Sequence, residues 1–169
     1  MSAQVKRFIR VDHAGEYGAA RIYAGQLAVL GRGAQGPVIE HMRAQELEHL
    51  ERFAEMIPAR RVRPTALLPF WHVAGFALGA ATAALGEKAA MACTVAVEEV
   101  IDAHYAGQEA ALDEREAALR ETIATFRAEE LSHRDIGLAN GAEQAPGYRL
   151  LTALIKTGCR VAIKLSERV

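Results

Sequence analysis

Hydrophobic residues recur along this chain with the spacing of an α-helix, in segments separated by clusters of glycine and proline. The clearest interruptions are residues 31–37, 58–69 and 141–146. The sequence lacks the alternating β-branched residues and hairpin turns that mark a β-sheet. The pattern therefore predicts an all-α protein, with helices over about residues 3–30, 36–57, 70–87, 89–111, 114–139 and 147–167.

Four of the predicted helices carry a glutamate inside the apolar stripe, at a position where leucine is usual. These residues are Glu16, Glu46, Glu98 and Glu130. A lone carboxylate facing a core is unfavourable unless it pairs with another group or binds a metal ion. Because one glutamate occurs in each of four helices, we expect a single shared cause.

The spacing of these glutamates divides a single domain over 1–169 into two similar units, about 3–57 and 89–139. Each unit has one glutamate on its first helix and a Glu-x-x-His motif on its second helix. The two glutamates are 30 residues apart in the first unit and 32 in the second. On a helix, residues i and i+3 point to the same side, so both motif side chains can hold one ion. The motifs are Glu46 to His49 and Glu130 to His133.

Together these residues form the ligand set of di-iron carboxylate bundles. The predicted metal ligands are Glu16, Glu46, His49, Glu98, Glu130 and His133. Four carboxylates neutralise two Fe(II) ions, and the set leaves coordination positions open for O₂. The neighbouring acids Glu48, Glu99 and Glu129 lie on more polar faces and are set aside. The alternative is that the acids form surface pairs with arginine.

Further polar residues lie close to the predicted ligands along the chain. Asp12 and Asp102, each about one turn from a ligand glutamate, are candidates to hold the ligand imidazoles. Tyr105, seven residues after Glu98, is placed to hydrogen-bond within the site or to relay an electron. A packed core tyrosine is an equal alternative for Tyr105.

Composition and charge bear on the partners. The net charge of -1 argues against a nucleic-acid-binding protein. The mean hydropathy of +0.02 is high for a soluble protein, and residues 65–86 contain one ionisable side chain, His72. Residues 149–169 carry five basic side chains and one acidic side chain. We therefore predict two membrane-associating helices, an apolar one over about 65–87 and an amphipathic one over about 147–167. The alternatives for the first helix are a core or oligomer contact and a full membrane span. The alternative for the second is an ordinary solvated helix.

Several stretches closely resemble the demethoxyubiquinone hydroxylases of ubiquinone biosynthesis, and the resemblance extends over almost the whole chain. The stretches that carry it are Val11-Asp12-His13-Ala14-Gly15-Glu16-Tyr17-Gly18-Ala19, Arg21-Ile22-Tyr23-Ala24-Gly25-Gln26, Val62-Arg63-Pro64-Thr65, Met91-Ala92-Cys93-Thr94-Val95-Ala96-Val97-Glu98-Glu99 and Gly158-Cys159-Arg160-Val161-Ala162-Ile163. All six predicted ligand positions match those of the family.

The resemblance implies a ferritin-like four-helix bundle that acts as a di-iron, O₂-dependent monooxygenase. The implied substrate is a polyprenylated 3-methyl-6-methoxy-benzoquinone, demethoxyubiquinone, which is hydroxylated in the penultimate step of ubiquinone biosynthesis. NADH is the expected source of the two electrons. No Gly-x-Gly-x-x-Gly follows a predicted strand, as it would in a dinucleotide-binding turn, so a nicotinamide site would be of another type. The alternative function is that of a ferritin-like ferroxidase without a quinone substrate.

The long isoprenoid tail of such a substrate implies contact with membrane lipid. The expected location is the cytoplasmic face of a bacterial inner membrane, or the matrix side of the mitochondrial inner membrane in a eukaryote. The first seven residues show no signal peptide pattern. A homo-oligomer and partner proteins of ubiquinone biosynthesis are further candidate partners.

Overall fold

The computed structural model describes residues 2–169, and these form six α-helices, two short 3-10 turns and no strand. The helices are α1 (Ala3–Leu30), α2 (Gly36–Ala59), α3 (Leu68–Ala84), α4 (Glu87–Ala111), α5 (Ala117–Ala139) and α6 (Tyr148–Ser166). The 3-10 turns are Glu114–Glu116 and Ala142–Gln144. The all-α prediction is confirmed for the described part of the chain.

Some helix ends differ from the predicted positions, because local turns and caps determine where each helix begins and ends. The break between the third and fourth helices falls before residue 87, because Gly86 adopts a φ of 115°, which favours glycine. The fifth helix begins at Ala117 instead of residue 114, because the Asp113 side chain accepts a hydrogen bond from the Arg115 amide and starts a 3-10 turn. The second helix continues to Ala59, with Pro58 in its last turn.

The helices pack as two similar halves. In the first half α1 contacts both α2 and α3, and in the second half α4 contacts both α5 and α6. The halves meet where α1 contacts α4 and where α3 and α6 contact the central helix of the opposite half. The two helices at the centre are therefore the ones that carry Glu16 and Glu98.

Two apolar layers lie on either side of the four glutamates along the bundle. One layer contains Ile9, Phe53, Tyr105, Leu119 and Ile123. The other contains Tyr23, Ile39, Met42, Met91 and Val95, with Ile136 of α5 packed against them. On each of α1, α2, α4 and α5 the ligand glutamate falls between the residues of these layers, so the carboxylates are enclosed in the middle of the bundle.

The glycine- and alanine-rich α3 lies unusually close to α1. A Cβ atom on Gly79 would come within 1.9 Å of the Ile22 carbonyl oxygen, and one on Gly25 within 2.1 Å of the Phe76 carbonyl oxygen. Only glycine permits backbones to approach this closely. The opposite side of α3 is exposed and apolar, with Phe70 61% and Val73 67% accessible.

Within residues 2–169, no helix combines the length and apolar composition that crossing a membrane requires.

Candidate metal centre

The six predicted ligands come together inside the bundle. Each of the six side chains is at most 1% exposed: Glu16, Glu46, His49, Glu98, Glu130 and His133. They come from α1, α2, α4 and α5, because each of these helices turns the glutamate in its apolar stripe inward. The more polar neighbours differ, since Glu48 is exposed and Glu99 and Glu129 are half-buried.

The ligands form two overlapping groups. One is Glu16, Glu46, His49 and Glu130, and the other is Glu46, Glu98, Glu130 and His133. Within each group, one donor atom from every residue lies within 4.8 Å of the others. Glu46 and Glu130 belong to both groups, so their carboxylates can bridge two cations lying side by side. A nitrogen and oxygen donor set of this kind fits divalent transition metals.

Both imidazoles turn Nδ1 towards the carboxylates. His49 Nδ1 lies 3.1 Å from Glu130 Oε1 and 3.5 Å from Glu16 Oε2. His133 Nδ1 lies 3.1 Å from Glu46 Oε1 and 3.3 Å from Glu130 Oε2. Nδ1 is therefore the atom that each histidine could offer to a cation.

The outer nitrogen of each imidazole, Nε2, contacts an oxygen that acts as a hydrogen-bond acceptor. One is an oxygen of a glutamate carboxylate and the other is the oxygen of a glutamine amide. His49 Nε2 lies 2.5 Å from Glu129 Oε2, and His133 Nε2 lies 3.1 Å from Gln45 Oε1. An acceptor at this place keeps the proton on Nε2, so that Nδ1 is the nitrogen that would lose its proton and bind when a cation is present. Sequence reasoning missed both residues, although each one directly precedes the glutamate of a Glu-x-x-His motif.

The two acids suggested for this role lie elsewhere. Asp12 is buried and accepts a hydrogen bond from Gln108 Nε2 at 2.7 Å, with His104 Nε2 3.3 Å away. Asp102 accepts a hydrogen bond of 2.6 Å from Arg127 Nε. Since Glu129 and Gln45 already occupy the outer nitrogens of the ligand imidazoles, the suggestion for Asp12 and Asp102 was wrong.

Two tyrosines donate hydrogen bonds to the ligand carboxylates. Tyr105 donates to Glu16 Oε1, and Tyr23 donates to Glu98 Oε1 at 2.7 Å. Each tyrosine lies seven residues after the glutamate of its own unit. The sequence held a sign of this pairing that was missed, because Tyr-Ala-Gly-Gln occurs at both residues 23–26 and 105–108.

The electrostatics of the cluster fit bound cations. Burial, followed by the charges of neighbouring glutamates, raises the pKa of Glu46 and Glu98 well above the ordinary value. Burial opposes ionisation of Glu130 as well, but hydrogen bonds with His133 and His49 lower its pKa to about 2. Among the described residues, both oxygens of Glu46 and one oxygen each of Glu16, Glu98 and Glu130 have no hydrogen-bond partner. Buried carboxylate oxygens without donors are unfavourable, and bound cations satisfy them.

An apolar cavity of about 500 Å³ lies between α1, α3, α4 and α6. Its walls include Ile22, Trp71, Val97, Ile155, Cys159 and Ile163. Burial, and then the charge of Glu98, raises the pKa of the Cys159 thiol to about 11. The Cys159 wall of the cavity is thus within electrostatic reach of a ligand glutamate.

Comparisons with known proteins place the chain in one family. The model for "Ubiquinone biosynthesis protein COQ7" matches residues 3–166. The 3-demethoxyubiquinol 3-hydroxylase of Rhodospirillum rubrum is 60% identical over 169 residues, covering 99% of this chain and 80% of that protein. The mitochondrial NADPH-dependent 3-demethoxyubiquinone 3-hydroxylase of Homo sapiens is 58% identical, covering 99% and 79%. The mitochondrial 5-demethoxyubiquinone hydroxylase of Saccharomyces cerevisiae is 42% identical, covering 99% and 79%. On this evidence the chain belongs to the COQ7 family of ubiquinone biosynthesis proteins.

Proposed function

We propose that this chain hydroxylates the ring of a polyprenylated 3-methyl-6-methoxy-benzoquinone, demethoxyubiquinone, in ubiquinone biosynthesis. The observation that carries the proposal is the pair of overlapping ligand groups that share Glu46 and Glu130 beside an apolar cavity. The names of two relatives support the proposal, since one specifies a 3-demethoxyubiquinol 3-hydroxylase and the other a 3-demethoxyubiquinone 3-hydroxylase. In the balanced step one oxygen atom of O₂ enters the ring C–H bond. The other oxygen atom leaves as water with two electrons and two protons.

The metal centre in this proposal is a pair of iron ions. Glu16 and His49 would hold one ion and Glu98 and His133 the other, while Glu46 and Glu130 are within reach of both. When bound, the iron pair supplies the oxygen-activating chemistry. The protein keeps the ligands dry and in place, because two apolar layers enclose them and the two tyrosines fix the orientation of Glu16 and Glu98. Of the two roles predicted for Tyr105, we assign it the hydrogen bond to Glu16.

The quinone in this proposal occupies the apolar cavity. The cavity lining has almost no polar atoms, which suits a methylated ring and an isoprenoid chain. Glycines at 15, 18 and 158 leave room along the walls, because a Cβ atom at any of these positions would meet nothing within 4 Å. The ring lies at the end of the cavity near Glu98, and the tail leaves between α3 and α6.

We also propose that α3 and α6 lie against a lipid surface, on the cytoplasmic side in a bacterium or the matrix side in a mitochondrion. Exposed apolar residues support this placement on both helices: Phe70, Val73, Leu85, Leu150, Leu154, Val161 and Leu165. Arg160 and Lys164 are exposed beside them. Lys156, another of the five basic residues in 149–169, forms an ion pair with Glu99 on α4 instead.

The two electrons come, in this proposal, from a reduced nicotinamide nucleotide. The sequence resemblance favours NADH, whereas the names of several mitochondrial relatives specify NADPH. Assembly with a second copy of the chain or with other proteins of ubiquinone biosynthesis stays a prediction.

The proposal is tested by turnover of a short-chain demethoxyubiquinone under ¹⁸O₂. Protein loaded anaerobically with Fe(II) is mixed with the quinone and either NADH or NADPH, and the product is analysed by mass spectrometry. We expect about two iron ions per chain and one ¹⁸O atom in each hydroxylated product molecule. Iron oxidation without quinone product would instead identify a ferroxidase, and a chain that binds no iron would refute the metal centre.

A further inference from the structure

Residues 45 and 129 occupy equivalent places in the two halves of the metal centre. Each directly precedes the glutamate of a Glu-x-x-His motif, and each contacts the imidazole of the opposite half. Gln45 on α2 faces His133 on α5, while Glu129 on α5 faces His49 on α2. The arrangement is thus reciprocal across the bundle.

The two residues differ in charge, although the surrounding centre is repeated closely. The halves match in the glutamate of the first helix, the Glu-x-x-His pair and the tyrosine that donates to a ligand. Behind His49, however, stands a carboxylate at 2.5 Å, and behind His133 stands a neutral amide at 3.1 Å. The symmetry of the donor set is broken at this pair of positions.

A carboxylate and an amide do not act equally on a ligand imidazole. A carboxylate that accepts the Nε2 proton draws it closer and makes Nδ1 a stronger donor to a metal. The hydrogen bond is also stronger when the acceptor is ionised. The Glu129 side chain is 38% exposed, so water weakens its long-range field but leaves the direct contact with His49 in place.

We propose that Glu129 is a positioning residue for His49 and makes the Glu16–His49 half of the centre the tighter of the two metal positions. The inference rests on the metal centre of the proposed function. The first divalent ion added to the metal-free protein occupies the Glu16–His49 half. The second occupies the Glu98–His133 half with lower affinity.

The test is a titration of the metal-free full chain with Co(II), in which calorimetry and visible absorption monitor binding. We expect two binding steps of unequal affinity in the unaltered protein. Glu129→Gln weakens the first step roughly 10–100-fold and brings the two steps together. Gln45→Glu strengthens the second step and therefore also reduces the difference in affinity between the two steps. Glu121→Gln, which removes an exposed carboxylate from the same helix, leaves both steps unchanged.

The position filled first is identified by proton NMR at one Co(II) per chain. The imidazole N–H resonance shifted by the paramagnetic ion should move in Glu129→Gln and stay in place in Gln45→Glu. The opposite response, or two equal steps in the unaltered protein, would overturn the inference while leaving the metal centre intact. A chain that binds no Co(II) would refute the centre itself. If Glu129→Gln fails to fold, Gln45→Glu still tests the proposal. An unchanged difference in affinity between the two binding steps of that variant would contradict it.

Discussion

The hydroxyl of Tyr23 on α1 donates a hydrogen bond of 2.7 Å to Glu98 on α4. Tyr105 on α4 makes the same contact with Glu16 on α1. Each tyrosine therefore holds the glutamate of the opposite half, and all four side chains are at most 1% exposed. Because water does not reach these carboxylates, each one depends on the phenol for a hydrogen bond to one of its oxygens.

Replacing Tyr23 with phenylalanine should destabilise the protein, because Glu98 loses its donor while staying buried. A hydrogen bond to a buried carboxyl contributes about 1–3 kcal/mol to the free energy of unfolding. The loss should appear in urea unfolding of the metal-free protein at pH 7. Tyr17→Phe is the matched control, because Tyr17 hydrogen-bonds to His72 at an exposed site. An equal loss of unfolding free energy in both variants would show that the Tyr23 hydrogen bond stabilises the protein no more than the exposed Tyr17 hydrogen bond.

The adjacent residues Glu98 and Glu99 should respond differently to replacement by alanine. Glu98→Ala removes a buried ligand, so iron per chain should fall and hydroxylation should drop to background. Glu99→Ala removes only a half-exposed ion pair with Lys156, which contributes about 0–1 kcal/mol. Iron analysis and product formation check both variants together. Greater damage in Glu99→Ala than in Glu98→Ala would contradict the ligand assignment.

The stability of the metal-free protein should fall as pH rises above about 4.5, the ordinary pKa of a glutamate. Burial raises the pKa of Glu46 and Glu98, so these groups keep their protons in the folded chain and lose them on unfolding. The unfolded state then binds fewer protons, and the free energy of unfolding falls by up to about 1.4 kcal/mol per pH unit for each group. His49 adds to the fall above pH 6.5, because burial lowers its pKa but the neighbouring carboxylates of Glu130 and Glu16 outweigh burial and raise the pKa to about 11.

Urea unfolding in the presence of a chelator, at several pH values between 5 and 9, measures this slope. Glu46→Gln should flatten the slope, because glutamine cannot ionise, and it should make the metal-free protein more stable at pH 8. The same variant should bind less iron, since a bridging carboxylate is lost. A slope that is unchanged in Glu46→Gln would contradict the assigned role of Glu46 in the pH dependence.

The helices and the six clustered acids and histidines were accessible from sequence because both signals repeat within single helices. A glutamate in an apolar stripe is visible from the period of 3.6 residues alone. The role of Glu129 could not be predicted in this way, because Glu129 lies at the edge of a stripe and its partner His49 belongs to another helix. Its position next to Thr122 and Ser132 on the helical wheel indicated water, whereas its side chain reaches across to the imidazole.

The contacts between helices could not be predicted from the sequence pattern either, because the partners lie on different helices. The pairing of Tyr23 with Glu98 depends on how α1 crosses α4, which no single-helix period encodes. The close approach of α3 to α1 depends on Gly25 and Gly79 meeting backbone atoms of the opposite helix. The apolar character of α3 alone did not distinguish packing from lipid contact, and the structure shows one packed side and one exposed side.

Reversing the charges of Arg160 and Lys164 should weaken attachment to anionic membranes. Both side chains are exposed on α6 near Leu154 and Val161, whereas Lys156 is engaged by Glu99 and is left unchanged. Each basic residue near an anionic surface contributes about 1 kcal/mol, so Arg160→Glu with Lys164→Glu should reduce vesicle binding at least about 30-fold. Flotation with phosphatidylserine-containing vesicles measures the bound fraction at increasing salt.

The control for this double variant is Arg43→Glu with Arg52→Glu on α2. That helix packs on α1, and within residues 2–169 Arg43 pairs with Glu40 and Arg52 with Glu55, both on the same helix. The control should float like the unaltered chain, because its reversed charges do not face the lipid. If the α6 variant floats equally well, electrostatic attachment through α6 is wrong. Flotation of both variants with uncharged vesicles would then show that the exposed apolar residues of α3 and α6 suffice.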